Sequence, residues 1–559
     1  MTNIKQLQDI ASIIRRDLLE NLDSTTQNNL PKNLSYAEIL SCLFFSEIHL
    51  DIKDPKNQDN DEFLLPNKDS KLLTNIILKR LNILKEESEE NPWMKLKINH
   101  SELDFSIATG LALSAKLKNR KFKSYVLLEE NEAEKGLFYE ALEFASHNQL
   151  NNLRAIFAIN SEKSKHYKQR FDSFGWNCIS IDGNNVKEVL SAFKEADKSE
   201  RPTIILAQVK KGKGVSFFEN SQEPDKVILN DGNRIHALKE IPHVKMPKIV
   251  IKKTKKISIK EDKNKQKQIE NEYKVTDLIS TEEASNNILH SLSISNKRII
   301  NLNSHKVISE KNSLGLALGL SIKGFIPFIH SEKGDLGSHI SSIKSKHQII
   351  ILGKSDSEIA YFRSIKDSCI FFPSDAISTE KIIKIAENLN SICYLKNSST
   401  PASILYKNTE DFPIGGFKTL LSSPTDKLVI ASSGNSVQEA LKAHTLLKNS
   451  RLDSAVIDLY SIKPFNKMNL IEFVKSKGSL LVVAEENNCE GNIGEMLSNE
   501  LINSGIQILH IPIRDNFRPD ANKISILVKE FLDSKPLETI VVEEVKKKQK
   551  TKLKSKKKK

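Results

Sequence analysis

Short runs of β-branched and aromatic residues alternate with longer helical-period segments along most of this chain. That alternation constrains its fold more than any other feature. Ser124-Tyr-Val-Leu-Leu128, Ala155-Ile-Phe-Ala-Ile159 and Thr203-Ile-Ile-Leu-Ala207 read as strands, with a helical pattern from Leu137 to Leu150 between the first two. Strands with no polar face are buried on both sides, as in parallel sheets covered by helices. The pattern recurs at Arg298-Ile-Ile300, Ile349-Ile-Ile-Leu352 and Ile370-Phe-Phe372. It recurs again at Leu428–Ser432, where a Gly434-Asn-Ser turn leads into an amphipathic helix from Val437 to Leu447. Ser454–Asp458 and Leu480–Ala484 follow as further strands. The expectation is α/β: three doubly wound blocks over residues 1–240, 276–415 and 425–535, joined by a linker at 241–275 and closed by a tail at 543–559. A chain of 559 residues is too long for one core, which fits that division.

Charge separates the blocks from the segments between them. The net charge is +13. Residues 546–559 hold ten lysines and no acids, and 245–274 hold eleven lysines and four acids, a net of +7. Removing both from the total leaves the rest at −4. A nucleic-acid-binding fold carries its positive charge on the fold itself, and this body is mildly acidic. The linker and tail have the composition of disordered segments. A polybasic tail could bind nucleic acid through counterion release, or simply be solvated. No run of 18 apolar residues occurs, so no membrane span is expected, and the first residues lack the apolar stretch of a signal peptide. Cys42, Cys178, Cys369, Cys393 and Cys489 form no CxxC pair and read as reduced thiols of a cytoplasmic protein.

Several segments carry a family resemblance. Val307-Ile-Ser-Glu-Lys-Asn-Ser-Leu-Gly-Leu-Ala-Leu-Gly-Leu-Ser-Ile-Lys-Gly-Phe-Ile-Pro-Phe328 is similar to the GIAEQNMVGVAAGLALAGKIPF segment of transketolases. Leu34-Ser-Tyr-Ala-Glu-Ile-Leu40 resembles LSAADIL. Phe171-Asp-Ser-Phe-Gly-Trp176 with Ile181-Asp-Gly183 resembles FEAFGW and VDG, and Lys211-Gly-Lys-Gly-Val-Ser216 resembles KGKGVS. Val456-Ile-Asp-Leu-Tyr-Ser-Ile-Lys-Pro464 and Val483-Ala-Glu-Glu486 are similar to VVDLRTIKP and VVEE. Their order identifies the chain as a member of the transketolase family. The resemblance implies diphosphate-binding, pyrimidine-binding and C-terminal domains in that order. It also implies ketol transfer between sugar phosphates with thiamine diphosphate and Mg²⁺, and a dimer. The cofactor supplies the carbanion chemistry, and the protein binds and tunes it.

What the resemblance implies residue by residue is mixed. Glu310 falls where the family keeps the glutamate that activates the cofactor. Glu130 and Asn160 fall at the metal ligands, Glu129 and Asn131 beside the diphosphate, and Arg363 at a donor-phosphate arginine. The metal motif GDG reads Glu129-Glu130-Asn131, so a charged side chain stands where a glycine lets the backbone approach the diphosphate. Taken alone, Glu129, Glu130 and Glu132 also read as an exposed acidic turn. Asn29, Asp69 and Asn487 stand at histidine positions, and Asn99-His-Ser-Glu-Leu-Asp104 replaces a glycine-rich turn. Asparagine cannot exchange a proton near neutral pH as histidine does. His100 and His147 read as structural residues. Gly315-Leu-Ala-Leu-Gly319 reads as close helix packing, since its helix is too short for a membrane.

Three functions are compatible with this pattern. One is a pseudoenzyme scaffold, as a homodimer or paired with an intact paralogue. Another is a divergent active transferase, of transketolase or 1-deoxyxylulose-phosphate-synthase type. The third is a nucleic-acid-associated protein acting through the lysine tail.

Overall fold

The computed structural model describes residues 3–22, 29–65, 71–84, 101–160, 162–254, 271–305, 309–334, 336–341, 343, 346–355, 358–488, 491–513 and 520–534. His100, Asp69, Cys489 and the tail lie outside them, as does the side chain of Asn487.

Three main sheets account for the alternating pattern. The first contains β1 (Glu62–Leu64), β2 (Ser124–Glu129), β3 (Leu153–Ile159), β4 (Asn177–Asp182) and β5 (Thr203–Gln208). Its strands are all parallel, in the order β1-β2-β3-β5-β4. Successive side chains of β2 point to opposite faces: Val126 and Leu128 enter one hydrophobic core, Tyr125 and Leu127 the other. Both faces are covered, so the strand shows no polar alternation.

The second sheet runs from β6 (Ile299–Asn301) through β7 (Ile326–Ser331) and β8 (Ile349–Gly353) to β10 (Ile392–Lys396) and β9 (Cys369–Phe371), all parallel. The third holds β11 (Lys418–Leu421), β12 (Leu428–Ser432), β13 (Ser454–Asp458), β15 (Leu480–Asn488) and β16 (Gln507–Ile513), with only β11 antiparallel. One strand crosses between blocks. β14 (Ser461–Lys463) follows β13 in the chain but pairs antiparallel with β9, at the edge of the second sheet.

The first two sheets are joined by two helices, Asp104–Leu117 and Glu310–Ile322. They touch through glycines. A Cβ on Gly319 would stand 2.4 Å from the Ile107 carbonyl oxygen, and one on Gly110 2.3 Å from that of Leu316. The paired glycines therefore act as a close-packing device, as read from the sequence. Lys323, just past the second helix, is 2 % exposed; its ammonium lies 2.6 Å from Glu62 and over the Phe122 ring. Among the described residues, no helix is long and apolar enough to cross a membrane.

The linker departs from the expected disorder over part of its length. Residues 241–254 lie along the first block: Lys252 bridges to His49 in the backbone and pairs with Glu47, and Met246, Ile249 and Ile251 pack on its core. At the other end Tyr273 is buried and donates to Glu380. The average composition hides a few apolar residues spaced to dock, and an acid that accepts a lysine. Residues 255–270 lie outside the described part.

Candidate functional site

Ligands of open parallel sheets bind beyond the carboxyl ends of the strands. Three chain segments meet there in the first sheet. The helix Leu30–Ser35 follows Asn29; the segment after β5 carries Lys210 to Lys213; and β2 ends on Glu129. The Gly212 amide donates to the Pro31 carbonyl at 2.7 Å, which ties the first two together. Gly212 sits at φ +73°, and a Cβ there would lie 2.2 Å from that of Phe218. Only glycine fits that position without strain.

Glu129 does not point freely into solvent. Its carboxylate pairs with Lys32 at 2.8 Å, both side chains being less than one-fifth exposed. Glu130 begins a short 3₁₀ turn and accepts from the Tyr167 hydroxyl at 3.3 Å. Asn131 is exposed. Glu132 is buried beside Lys135 at 2.7 Å, and burial raises its carboxyl above the usual range. The reading of this segment as an exposed acidic turn is therefore corrected: three carboxylates are drawn inward, each with its own partner. Lys32 gave no signal in the sequence beyond its place one residue after Pro31.

Asn160 follows β3 and is exposed. It lines a cavity of about 760 Å³ together with Asp182, Asn184 and Lys210. Glu130 is not among the lining residues. The cavity's cations are largely spoken for, because Lys210 pairs with Glu219 at 2.9 Å and Lys211 with Asp225 at 2.5 Å.

Glu310 opens the helix Glu310–Ile322, whose N-cap Ser309 accepts from the Asn312 amide and donates to Glu140. Its carboxylate is fully engaged within the chain. One oxygen accepts from the amides of Glu332 and Lys333, both at 2.8 Å, and the other from Ser331 at 2.9 Å. The same Ser331 hydroxyl lies 2.9 Å from Glu358, which is wholly buried. Burial raises the Glu358 carboxyl, and the charge of Glu310 adds to that. Glu358, Ser331 and Glu140 escaped the sequence reading because they come from separate strands and helices.

Arg363 makes a contact between blocks. One of its Nη atoms donates to the carbonyls of Gly491 at 2.7 Å and Asn492 at 3.3 Å, which ties the helix Glu358–Ser364 to the third block. His147 is exposed at the last position of the helix Gly136–His147, as expected of a surface or helix residue. In the third block Glu485 is buried and accepts from the Ile493 and Gly494 amides and from the His510 ring. This carboxylate–imidazole pair was not foreseen from sequence.

The residues as placed do not fit a metal-bound diphosphate. Glu129 and Lys32 fill the end of β2 with a closed ion pair, Glu130 is held by Tyr167, and Asn160 lines a cavity that Glu130 does not reach. Among the described residues, no group of three or more His, Cys, Asp or Glu side chains could hold a metal ion.

Known proteins give the lineage. The profile described as "Transketolase, thiamine diphosphate binding domain" matches residues 114–288, and "Transketolase, C-terminal domain" matches 418–532. Transketolase of Homo sapiens is 25 % identical over 94 % of this chain and 95 % of its own length. Transketolase-like protein 2 of Mus musculus is 27 % identical, over 88 % of this chain and 90 % of its own. The crystal structure of transketolase from Campylobacter jejuni shares the fold at a TM-score of 0.71 and 16 % identity, covering 95 % of this chain and 100 % of that one. Transketolase from Leishmania mexicana does so at 0.67 and 15 %, covering 95 % of each. Two profiles matched in chain order, on a chain that aligns nearly end to end with these relatives, place it in the transketolase family.

Proposed function

We propose that this chain is a transketolase relative in which thiamine diphosphate-dependent ketol transfer between sugar phosphates is impaired or lost. It acts as a scaffold or regulatory subunit, a cytoplasmic homodimer or the partner of an intact paralogue. One observation carries this reading, the Lys32–Glu129 pair at the end of β2. The pair occupies Lys32, the cation that would otherwise meet a diphosphate, and sets a carboxylate side chain where the backbone would have to approach it. The asparagine at position 29 adds to the case, since a positioned acid–base group is worth about 10²–10⁴ in rate.

A second reading has its own support. Glu310 keeps a carboxylate at the head of its helix, beside a second carboxyl at Glu358. That arrangement would suit a divergent active enzyme with Glu130 and Asn160 as metal ligands, Glu129, Asn131 and Glu310 against the cofactor, and Arg363 on the substrate. The test is a calorimetric titration of the full chain with thiamine diphosphate and Mg²⁺. The first reading expects no saturable heat at millimolar cofactor. Saturable, metal-dependent binding followed by measurable ketol transfer replaces it with the second.

A further inference from the structure

Cys369 and Cys393 are far apart in sequence but direct partners in the β9–β10 ladder. Adjacent strands lie about 4.8 Å apart, within the roughly 4.4–6.8 Å between Cα atoms that a disulfide spans. In a parallel pair, residues in register project to the same face, so the two thiols are neighbours. Ser391, two residues before Cys393 and on the same face, places its hydroxyl 3.5 Å from the Cys369 sulfur and 4.0 Å from that of Cys393. Lys463 on β14 flanks β9 from its other side. Its ammonium is held by the Arg363 carbonyl at 3.0 Å and the Ser368 hydroxyl at 3.1 Å.

The two thiols differ in character. Cys393 is fully buried, whereas Cys369 is partly exposed. The neighbouring Cys393 thiol lowers the pKa of Cys369, with help from Ser391 and the charge of Lys463, while that of Cys393 is raised. Cys42 and Cys178 are buried, and burial pushes each up to about 12. A partly exposed thiol of lowered pKa beside a buried thiol of raised pKa is the arrangement of a sensor cysteine with its resolving partner.

We propose that Cys369 and Cys393 form a redox-responsive pair that hydroperoxides oxidise to a disulfide across β9 and β10. The Cys369 thiolate attacks one peroxide oxygen; the O–O bond breaks, an S–O bond forms, and hydroxide or alkoxide leaves and takes up a proton. Cys393 sulfur then attacks the sulfenic sulfur. The S–S bond forms, the S–O bond breaks, and hydroxide leaves as water with the Cys393 proton. The pair loses two electrons, and the peroxide gains them.

The experiment treats the full-length chain with hydrogen peroxide, blocks free thiols with iodoacetamide, and maps peptides without reduction. The expected result is a Cys369–Cys393 linked peptide that dithiothreitol reverses. Cys369 should react with iodoacetamide at least about tenfold faster than Cys42 or Cys178 in the untreated protein. Cys393→Ser should convert the product to a dimedone-trapped sulfenic acid at Cys369, and Cys369→Ser should leave Cys393 unmodified. Matching thermal melts for both variants establish that they fold. The proposal is overturned if Cys369 reacts no faster than the buried cysteines, if its sulfenic acid persists in the unmutated chain, or if either cysteine links elsewhere.

Discussion

Glu310 and Glu358 hold the same hydroxyl: Ser331 Oγ lies 2.9 Å from a carboxylate oxygen of each. A hydroxyl has one proton and cannot donate to both. Burial holds the Glu358 carboxyl above the ordinary carboxyl range, and the charge of Glu310 adds to that, so the two acids compete for the one Ser331 proton. Glu358→Gln keeps the volume and removes the charge that burial disfavours, and its stability should stay within about 1 kcal/mol of the parent. Glu358→Ala opens a cavity and strands the Leu336 amide that Glu358 accepts at 3.1 Å, a loss of about 2–4 kcal/mol. Urea unfolding of the two variants separates these outcomes.

Replacing Glu129 tests the ion pair at the head of the candidate site. Glu129→Gly removes the repelling carboxylate, frees Lys32 for a phosphate, and restores backbone approach. We expect an affinity for thiamine diphosphate with Mg²⁺ at least about tenfold above the parent, since about 1.4 kcal/mol of relieved repulsion is enough for that factor. Parallel calorimetric titrations measure it. Equal heats for the two proteins would mean that Glu129 is not the obstacle.

Asp458 gives the stability curve a pH slope. It is fully buried and accepts from the Tyr406 hydroxyl at 2.6 Å, and burial holds its carboxyl up at about 7. An unfolded aspartate titrates near 3.9, about three pH units lower. Between those values the folded chain keeps a proton that the unfolded chain has lost, so stability falls as pH rises from about 4 to about 7, by up to about 1.4 kcal/mol per unit. Asp458→Asn should flatten that part of the curve. Denaturation midpoints at half-unit pH steps for both proteins would show it.

The buried lysine makes a prediction of opposite kind. Lys323→Met keeps the volume but takes from Glu62 the ammonium now 2.6 Å away. Breaking a buried pair this way costs about 3–5 kcal/mol, whereas replacing both partners is far milder. The double variant Lys323→Met/Glu62→Gln should therefore recover most of the loss, and a double-mutant cycle reads the difference directly.

Gly319→Ala should destabilise by about 1–3 kcal/mol or more, because the added methyl group meets the Ile107 carbonyl oxygen at 2.4 Å and backbone must move. An unchanged melting temperature would mean that the helices can part without loss.

Close packing at Gly319, though not its partner Ile107, was legible in the sequence, as were the strands Ser124–Glu129, Leu428–Ser432 and Ser454–Asp458. In each case local periodicity and tertiary burial agree. β4 and β16 were harder, because polar residues at Ser180 and His510 break their apolar runs. The site was legible only as motif positions. Nothing near Glu129 in the chain announces Lys32, ninety-seven residues earlier, and nothing near Glu310 announces the hydroxyl of Ser331 or the acid at Glu358. Partners set by packing of distant segments leave no local periodicity. For the same reason nothing in the sequence announced that one Nη of Arg363 donates to the Gly491 and Asn492 carbonyls.

The strand Ser461–Lys463 lends its backbone to a sheet built otherwise from residues 299–396. A chain cut before residue 418 would therefore lose more than its last block. It would leave Cys369–Phe371 as an uncovered edge, with unpaired amides and carbonyls along an apolar strand, the surface on which identical chains add to one another.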